Sequence, residues 1–378
     1  MKILLLGAGS VVHTQRWANG LTRASVDVVC MSLHPFLDVG WESRVERVRL
    51  PHRGIGGYFL NAATVRRTFF ERGCDLLNAH YATGYGMLAT ISGVRPRLIS
   101  VWGSDVYDFP VKSPVHRALV RSVLRSADGI ASTSLVMAEQ VRRVMPKGWQ
   151  GSIDLTPFGV DMQLFTPATE VLSDTRPLVI GTVKTLAHKY GIDTLIRAYA
   201  LLVSDRVLTA ELPDGMVLRL VGGGEQRAAL ESLVCSLGLQ DQVEFIGAVP
   251  HAEVPQWLRG FDIYVAASRL DSESFGVAVI EASACELPVV VTRVGGLPEV
   301  VVDSETGFIV ERDDPQALAI ALRCLVLNPY LRGQLGRRGR AHVARTYEWR
   351  ECVDRMTETY VATRVRSGHA QEGAQCHD

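Results

Sequence analysis

The sequence predicts an α/β protein made of two doubly wound parallel sheets. Three observations carry this. Aliphatic runs of about four to six residues alternate with amphipathic segments of ten or more almost from end to end, the pattern of parallel strands covered by helices on both faces. Twelve such runs occur, too many for one comfortable open sheet. The alternation also restarts once, after the Pro- and Thr-rich stretch from Phe165 to Pro177, which has no apolar periodicity and reads as an interdomain linker.

In the first half, strands are expected at Lys2–Leu6, Val26–Met31, Cys74–Asn78, Leu98–Trp102, Gly129–Ser132 and Ile153–Thr156. Helix-like stretches between them include Thr14–Arg23, Ala62–Arg72, Pro114–Ser126 and Leu135–Val144. In the second half the strands are Leu178–Val183, Val217–Val221, Val243–Ile246, Ile263–Ala267, Pro288–Thr292 and Gly307–Val310. Ile192–Val203, Glu225–Leu237, Val277–Cys285 and Pro315–Leu327 are the helices that separate them. Domains are therefore expected at 1–166 and 177–346, with a helix over 347–366 and a disordered tail over 367–378. Two such sheets facing a central cleft bind ligands at the carboxyl ends of their strands.

Composition narrows the function. With 47% hydrophobic and 21% charged residues, the chain is neither mainly disordered nor fibrous. The formal charge is zero, so no overall basic footprint for nucleic acid exists. Basic residues exceed acidic ones by five through Thr175, and the reverse holds after it. The seven cysteines are scattered without a C-x-x-C pair, which points to reduced thiols and not to a disulfide framework or zinc site. No apolar run approaches the ~18–20 residues of a membrane span, and the polar residues His13, Gln15 and Arg16 cut short any signal-peptide reading of the N-terminus. The expected location is the cytoplasm, with peripheral contact to an inner membrane left open.

Gly7-Ala8-Gly9-Ser10 follows the first strand and invites a dinucleotide-binding reading. Val12 occupies the third glycine position, and the second strand ends Val29-Cys30-Met31-Ser32 without the acidic ribose partner. The glycines still allow backbone N–H groups to approach a phosphate or sugar closely. More informative is the stretch from Phe261 to Val310. Glu273 sits in a loop after a buried strand, Ser274-Phe275-Gly276-Val277 lead into a helix, and Glu281 follows about two turns in. The helix N-terminus offers unpaired N–H groups and partial positive charge.

These residues resemble glycosyltransferase family 4, a retaining family built on two Rossmann-like domains, the GT-B architecture. The resemblance rests on Ser268, the Glu273 and Glu281 pair bracketing Ser274-Phe275-Gly276, Glu281-Ala282-Ser283-Ala284-Cys285, Pro288 through Thr292, Gly295-Gly296-Leu297-Pro298-Glu299-Val300, and Thr306-Gly307. Upstream, Gly181-Thr182-Val183-Lys184, Lys189-Tyr190-Gly191, Gly222-Gly223-Gly224-Glu225 and Phe245-Ile246-Gly247 fit the same pattern, as do Gly9, His13 through Ala18 and Trp102-Gly103-Ser104-Asp105 in the first half. Glu286 replaces a usual glycine, Lys184 a usual arginine, and Trp102 a frequent histidine.

The resemblance implies the following roles. Lys184 and Lys189 clamp a donor diphosphate, Glu273 positions the donor sugar, and Gly9, Ser274, Phe275, Gly276, Val277 and Glu281 complete donor binding. Asp105 joins Glu273 and the lysines as catalytic, while His13, His80 and Trp102 lie on the acceptor side. It also implies front-face transfer with retention, and a final helix crossing back to the first domain. No Asp-x-Asp occurs, so neither metal nor cofactor is expected.

The implied function is transfer of a hexose or N-acetylhexosamine from a nucleoside-diphosphate sugar, uridine diphosphate favoured, to a glycan or lipid-linked acceptor in bacterial surface-polysaccharide or lipopolysaccharide synthesis. A natural-product glycosyltransferase, a NAD-dependent oxidoreductase and a catalytically silent scaffold remain alternatives. Arg117, Arg121 and Arg125 at helical spacing could meet anionic headgroups.

Overall fold

The computed structural model describes residues 1–168 and 176–375, with side chains described as far as Gly368. The expected linker falls partly on residues 169–175, outside the described residues. The chain divides into two compact units: unit 1 is Met1–Pro157 with the segment from Trp349 onward, and unit 2 is Phe158–Glu348. The division thus falls at Pro157, ahead of Thr166.

Unit 1 contains β1 (Lys2–Leu6), β2 (Asp27–Ser32), β3 (Glu46–Arg49), β4 (Leu76–His80), β5 (Arg97–Val101), β6 (Gly129–Ser132) and β7 (Ile153–Leu155), in the spatial order β3-β2-β1-β4-β5-β6-β7. All pairings are parallel. Ile3 through Leu6 are fully buried, as a strand covered on both faces requires. Unit 2 contains β8 (Leu178–Val183), β9 (Met216–Val221), β10 (Val243–Gly247), β11 (Ile263–Ala266), β12 (Val289–Thr292) and β13 (Gly307–Val310), ordered β10-β9-β8-β11-β12-β13. Each order reverses direction once, at β1/β4 in unit 1 and β8/β11 in unit 2. Such switch points leave a crevice between diverging loops at the carboxyl ends of the strands.

Several elements differ from expectation. β3 went unread because Glu-Arg-Val-Arg carries one apolar residue; an edge strand needs no more. The helix Pro329–Thr346 is rich in glycine and arginine, yet it forms, capped by the Asn328 side chain, which accepts from Leu331 N at 2.9 Å. Tertiary packing overrides its poor propensity: Leu335 and Val343 are fully buried, and the helix packs against Val277–Ala284. Asp314 caps the helix Pro315–Leu327 by accepting from Ala317 N. The final helix spans Trp349–Gln375, past Ser367, where a disordered tail was expected, and it packs on the unit 1 sheet and the helix Val12–Arg23.

In the helix Pro114–Ser126, Arg117 and Arg121 donate to the carbonyls of Arg143 and Val144, at the C-terminal end of the helix Leu135–Val144. Helix ends leave such carbonyls without intrahelical partners, so two of the three aligned arginines serve the fold. No described helix is long and apolar enough to cross a membrane.

Candidate active site

Lys184 is the first residue after β8, and Glu273 lies in the loop after β11, so the unit 2 switch point brings together two side chains 89 positions apart. Lys184 Nζ donates to Glu273 Oε1 at 2.8 Å, and the two side chains are only 12% and 8% exposed. Glycine makes the approach possible. Gly295, at φ +48°, would place a Cβ 2.0 Å from the Glu273 carbonyl, and Gly222, at φ +146°, one 1.8 Å from the Lys184 carbonyl. A side chain at Gly295 would push its loop off that of Glu273, and one at Gly222 would push its loop off that of Lys184.

Burial alone would drive Lys184 and Glu273 toward their neutral forms. Against that penalty, Glu273, with Tyr264 and Tyr190 contributing, keeps the Lys184 ammonium above its ordinary pKa. The two lysines likewise outweigh burial and hold the Glu273 carboxyl below the usual range. Both groups are therefore charged at neutral pH. Lys189 Nζ donates to the Ser272 carbonyl at 2.7 Å. The Tyr190 ring lies 4.8 Å from Lys184 Nζ and 5.3 Å from Lys189 Nζ, within cation–π range. Two ammonium groups, one carboxylate and a helix N-terminus at Val277 leave net positive charge in a half-dry crevice. That arrangement suits a diphosphate and stabilises charge growing on a departing phosphate.

The other unit 2 candidates divide by role. Ser274 is buried next to Glu273, and Gly276 leads into the helix Val277–Ala284. The Phe275 ring instead packs between Phe158 and Tyr347, at 5.9 and 5.5 Å, and props the loop from below. Glu281 is 4% exposed, and its Oε1 meets His251 Nε2 at 2.8 Å.

In unit 1, His80 ends β4 and stacks on Trp102 with ring centroids 4.2 Å apart; His13 meets the same indole edge-on at 6.2 Å. Burial, reinforced by His13, lowers the His80 pKa to about 3, so this imidazole is neutral. Asp105 is 1% exposed. Its oxygens accept from the backbone N–H groups of Ala82, Trp102 and Gly103 at 2.8, 3.2 and 2.9 Å. Burial raises its pKa against those bonds, and the arrangement makes Asp105 an anchor for the loops after β4 and β5. Gly9 gives its N–H to Ser32 Oγ at 2.9 Å. His13, His80, Trp102 and Asp105 are thus gathered at the unit 1 switch point, while Lys184, Lys189, Glu273, Ser274 and Glu281 surround that of unit 2.

Tyr190, Tyr264 and His251 belong to the second group and were not singled out in the sequence. Tyr190 adjoins Lys189, but an aromatic there reads equally as core; His251 is 30 positions from Glu281, with no spacing rule to join them. Among the described residues no group of three or more His, Cys, Asp or Glu is placed to hold a metal ion.

Known proteins match both units. Residues 168–342 fit the family model for glycosyl transferases group 1, and residues 2–134 that for glycosyl transferase 4-like domains; the latter covers the glycines that invited a nicotinamide reading. A GDP-mannose-dependent alpha-(1-6)-phosphatidylinositol monomannoside mannosyltransferase from Mycolicibacterium smegmatis is 30% identical over 72% of this chain and 72% of its own. A D-inositol 3-phosphate glycosyltransferase from Streptomyces avermitilis is 32% identical over 78% of this chain and 68% of its own. In fold, the chain is similar to sucrose-phosphate synthase from Thermosynechococcus elongatus, with a TM-score of 0.82 at 22% identity over 95% of this chain and 98% of that one. Anabaena HepE in complex with UDP gives 0.77 at 18% identity, over 96% and 100%. With two Rossmann-like units, a charged cluster at the unit 2 switch point and relatives along both halves, the chain belongs to the glycosyltransferases of the GT-B type.

Proposed function

We propose that this glycosyltransferase transfers a hexose or N-acetylhexosamine, with retention and without a metal, from a nucleoside-diphosphate sugar to an acceptor bearing an inositol phosphate, free or lipid-linked. The observation that carries the reading is the buried Lys184–Glu273 pair, with Lys189 beside it, at the unit 2 switch point. The lysines take the place a divalent ion would fill against the diphosphate, and as the anomeric bond breaks they meet the charge that develops on the leaving phosphate. Glu273, held ionised, is fixed by Lys184 and orients the donor sugar; front-face transfer leaves deprotonation of the acceptor to the leaving phosphate. Glu281 takes the ribose.

Two relatives whose names carry inositol phosphates support this acceptor over surface polysaccharide, and the name of the Mycolicibacterium relative supports guanosine over the uridine nucleotide that the family resemblance favours. For a lipid-linked acceptor, exposed Val115, Leu119 and Arg125 supply peripheral membrane contact. The test is thermal unfolding with guanosine and uridine diphosphates in EDTA. At 100 times its dissociation constant the right nucleotide adds about 2.7 kcal/mol, and Lys189→Ala abolishes the gain. No gain with either nucleotide would overturn the reading.

A further inference from the structure

The carboxyl edge of β2 and β3 in unit 1 holds a cation that the mechanism above does not use. Arg49 ends β3 and stands beside Ser32 in the parallel register. It is half-buried, its Nε is shut off from solvent without a hydrogen bond, and among the described residues its side chain makes no ion pair. Two acids of the preceding loop and strand are engaged elsewhere, Glu42 with Arg23 and Glu46 with Arg72, each at 2.7 Å, and the exposed Asp38 makes no ion pair with Arg49 among the described residues. A guanidinium left so is half of an interaction, because buried polar groups are nearly always paired. Its planar fork matches a phosphate better than any neutral ligand.

His34 supplies the neighbouring donor. Its Nδ1 meets the Tyr85 hydroxyl at 2.8 Å, which fixes the ring and leaves Nε2 as the nitrogen not engaged with Tyr85. That hydroxyl also accepts from Leu33 N at 3.0 Å and lies 3.3 Å from Ser32 Oγ. Arg49 is in register with Ser32, two residues before His34, so both groups stand at the same strand edge, and the charge of Arg49 adds to burial in lowering the His34 pKa. Tyr58 packs edge-on against Tyr85 at 5.4 Å. The cluster is therefore ordered by protein contacts, while its cation is not neutralised by them.

Its place in the sheet gives it a task. From β3, which Arg49 ends, to β4, which His80 ends, is three strand spacings, or about 14 Å. A long arginine side chain and a ring-sized acceptor, with its phosphate on one side and its reacting hydroxyl on the other, together bridge that distance. We propose that Arg49 and His34 form the subsite that recognises the phosphate of the acceptor. The inference rests on the acceptor reading above and adds to it the residues that distinguish a phosphorylated acceptor from its neutral counterpart.

The experiment measures binding of D-inositol 3-phosphate and of myo-inositol to the full chain by calorimetry, with the nucleoside-diphosphate thermal shift as an internal control in every sample. The phosphate ester binds at least tenfold tighter than inositol; Arg49→Gln removes that ratio, Arg49→Lys restores part of it, and the nucleotide shift is the same in all three proteins. Equal affinity for the two inositols, or an unchanged ratio in Arg49→Gln, overturns the subsite while a retained nucleotide shift keeps the donor reading. Loss of the nucleotide shift in the unmodified chain instead overturns the donor reading itself. Competition by phosphatidylinositol vesicles, absent with phosphatidylcholine, assigns the phosphate to a lipid headgroup; no competition assigns it to the free ester.

Discussion

His80 shows how much of a residue's chemistry its position in the sequence leaves open. The strand expected over Cys74–Asn78 stops two residues short of it, and only the fold puts it at the end of β4 and against Trp102. Its protonation state was not readable either, because that depends on burial and on His13, 67 positions away in the chain. Since its folded-state pKa lies near 3 and an unfolded histidine titrates near 6.5, the folded state binds fewer protons between those values. The stability contributed by neutral His80 is complete above about pH 6.5 and is lost as pH falls toward 3, at about 1.4 kcal/mol per unit. His80→Gln, which cannot titrate, should lose about 2 kcal/mol less than the parent between pH 7 and pH 5. Parallel denaturation series at the two pH values check this, and identical losses in both proteins would refute it. Lys184 and Glu273 were legible because each follows a strand in a recognisable motif. Arg49 was not: its significance is the partner it lacks, and only the fold can show which neighbours are already taken.

At the scale of elements, strands buried on both faces announce themselves as unbroken aliphatic runs, and their boundaries shift by only a residue or two. Elements held by their neighbours do not. The helix Pro329–Thr346 is stabilised by what it covers, and β3 by the strand it borders; neither property is local. The end of the helix Val277–Ala284 shows the converse, a local rule broken. Glu286, where the family resemblance leads one to expect glycine, stands at φ +61°, a conformation that costs a non-glycine residue ~1–2 kcal/mol. Its side chain is 37% exposed and 3.9 Å from Arg340, a pairing worth little at the surface. Glu286→Gly should therefore stabilise unit 2 by about 1 kcal/mol after glycine's added freedom in the unfolded chain is discounted. That corresponds to a rise of about 2–4 °C in its unfolding midpoint, readable by calorimetry; a fall would show that the Arg340 contact outweighs the strain.

At the scale of the whole molecule, the sequence's two restarting halves are real, but the division of labour along the chain is not a simple cut. The helix Trp349–Gln375 follows unit 2 in sequence and belongs to unit 1 in space. Trp349 packs on Trp17 at 5.2 Å, and the fully buried Tyr360 donates its hydroxyl to Asn78 Oδ1 at 3.2 Å. Removing residues 349–378 should leave unit 2 protected from amide exchange and strip protection from β4, β5 and β6. Equal protection in both units of the truncated chain would contradict this. The same feature orders events during synthesis. Unit 1 is completed only after unit 2, since the surface around Asn78 and Trp17 stays bare until the helix Trp349–Gln375 has been made, by which time the whole of unit 2 has been synthesised. The nascent protein thus carries an open apolar face all the while unit 2 is being made, a period in which a chaperone has the most to protect.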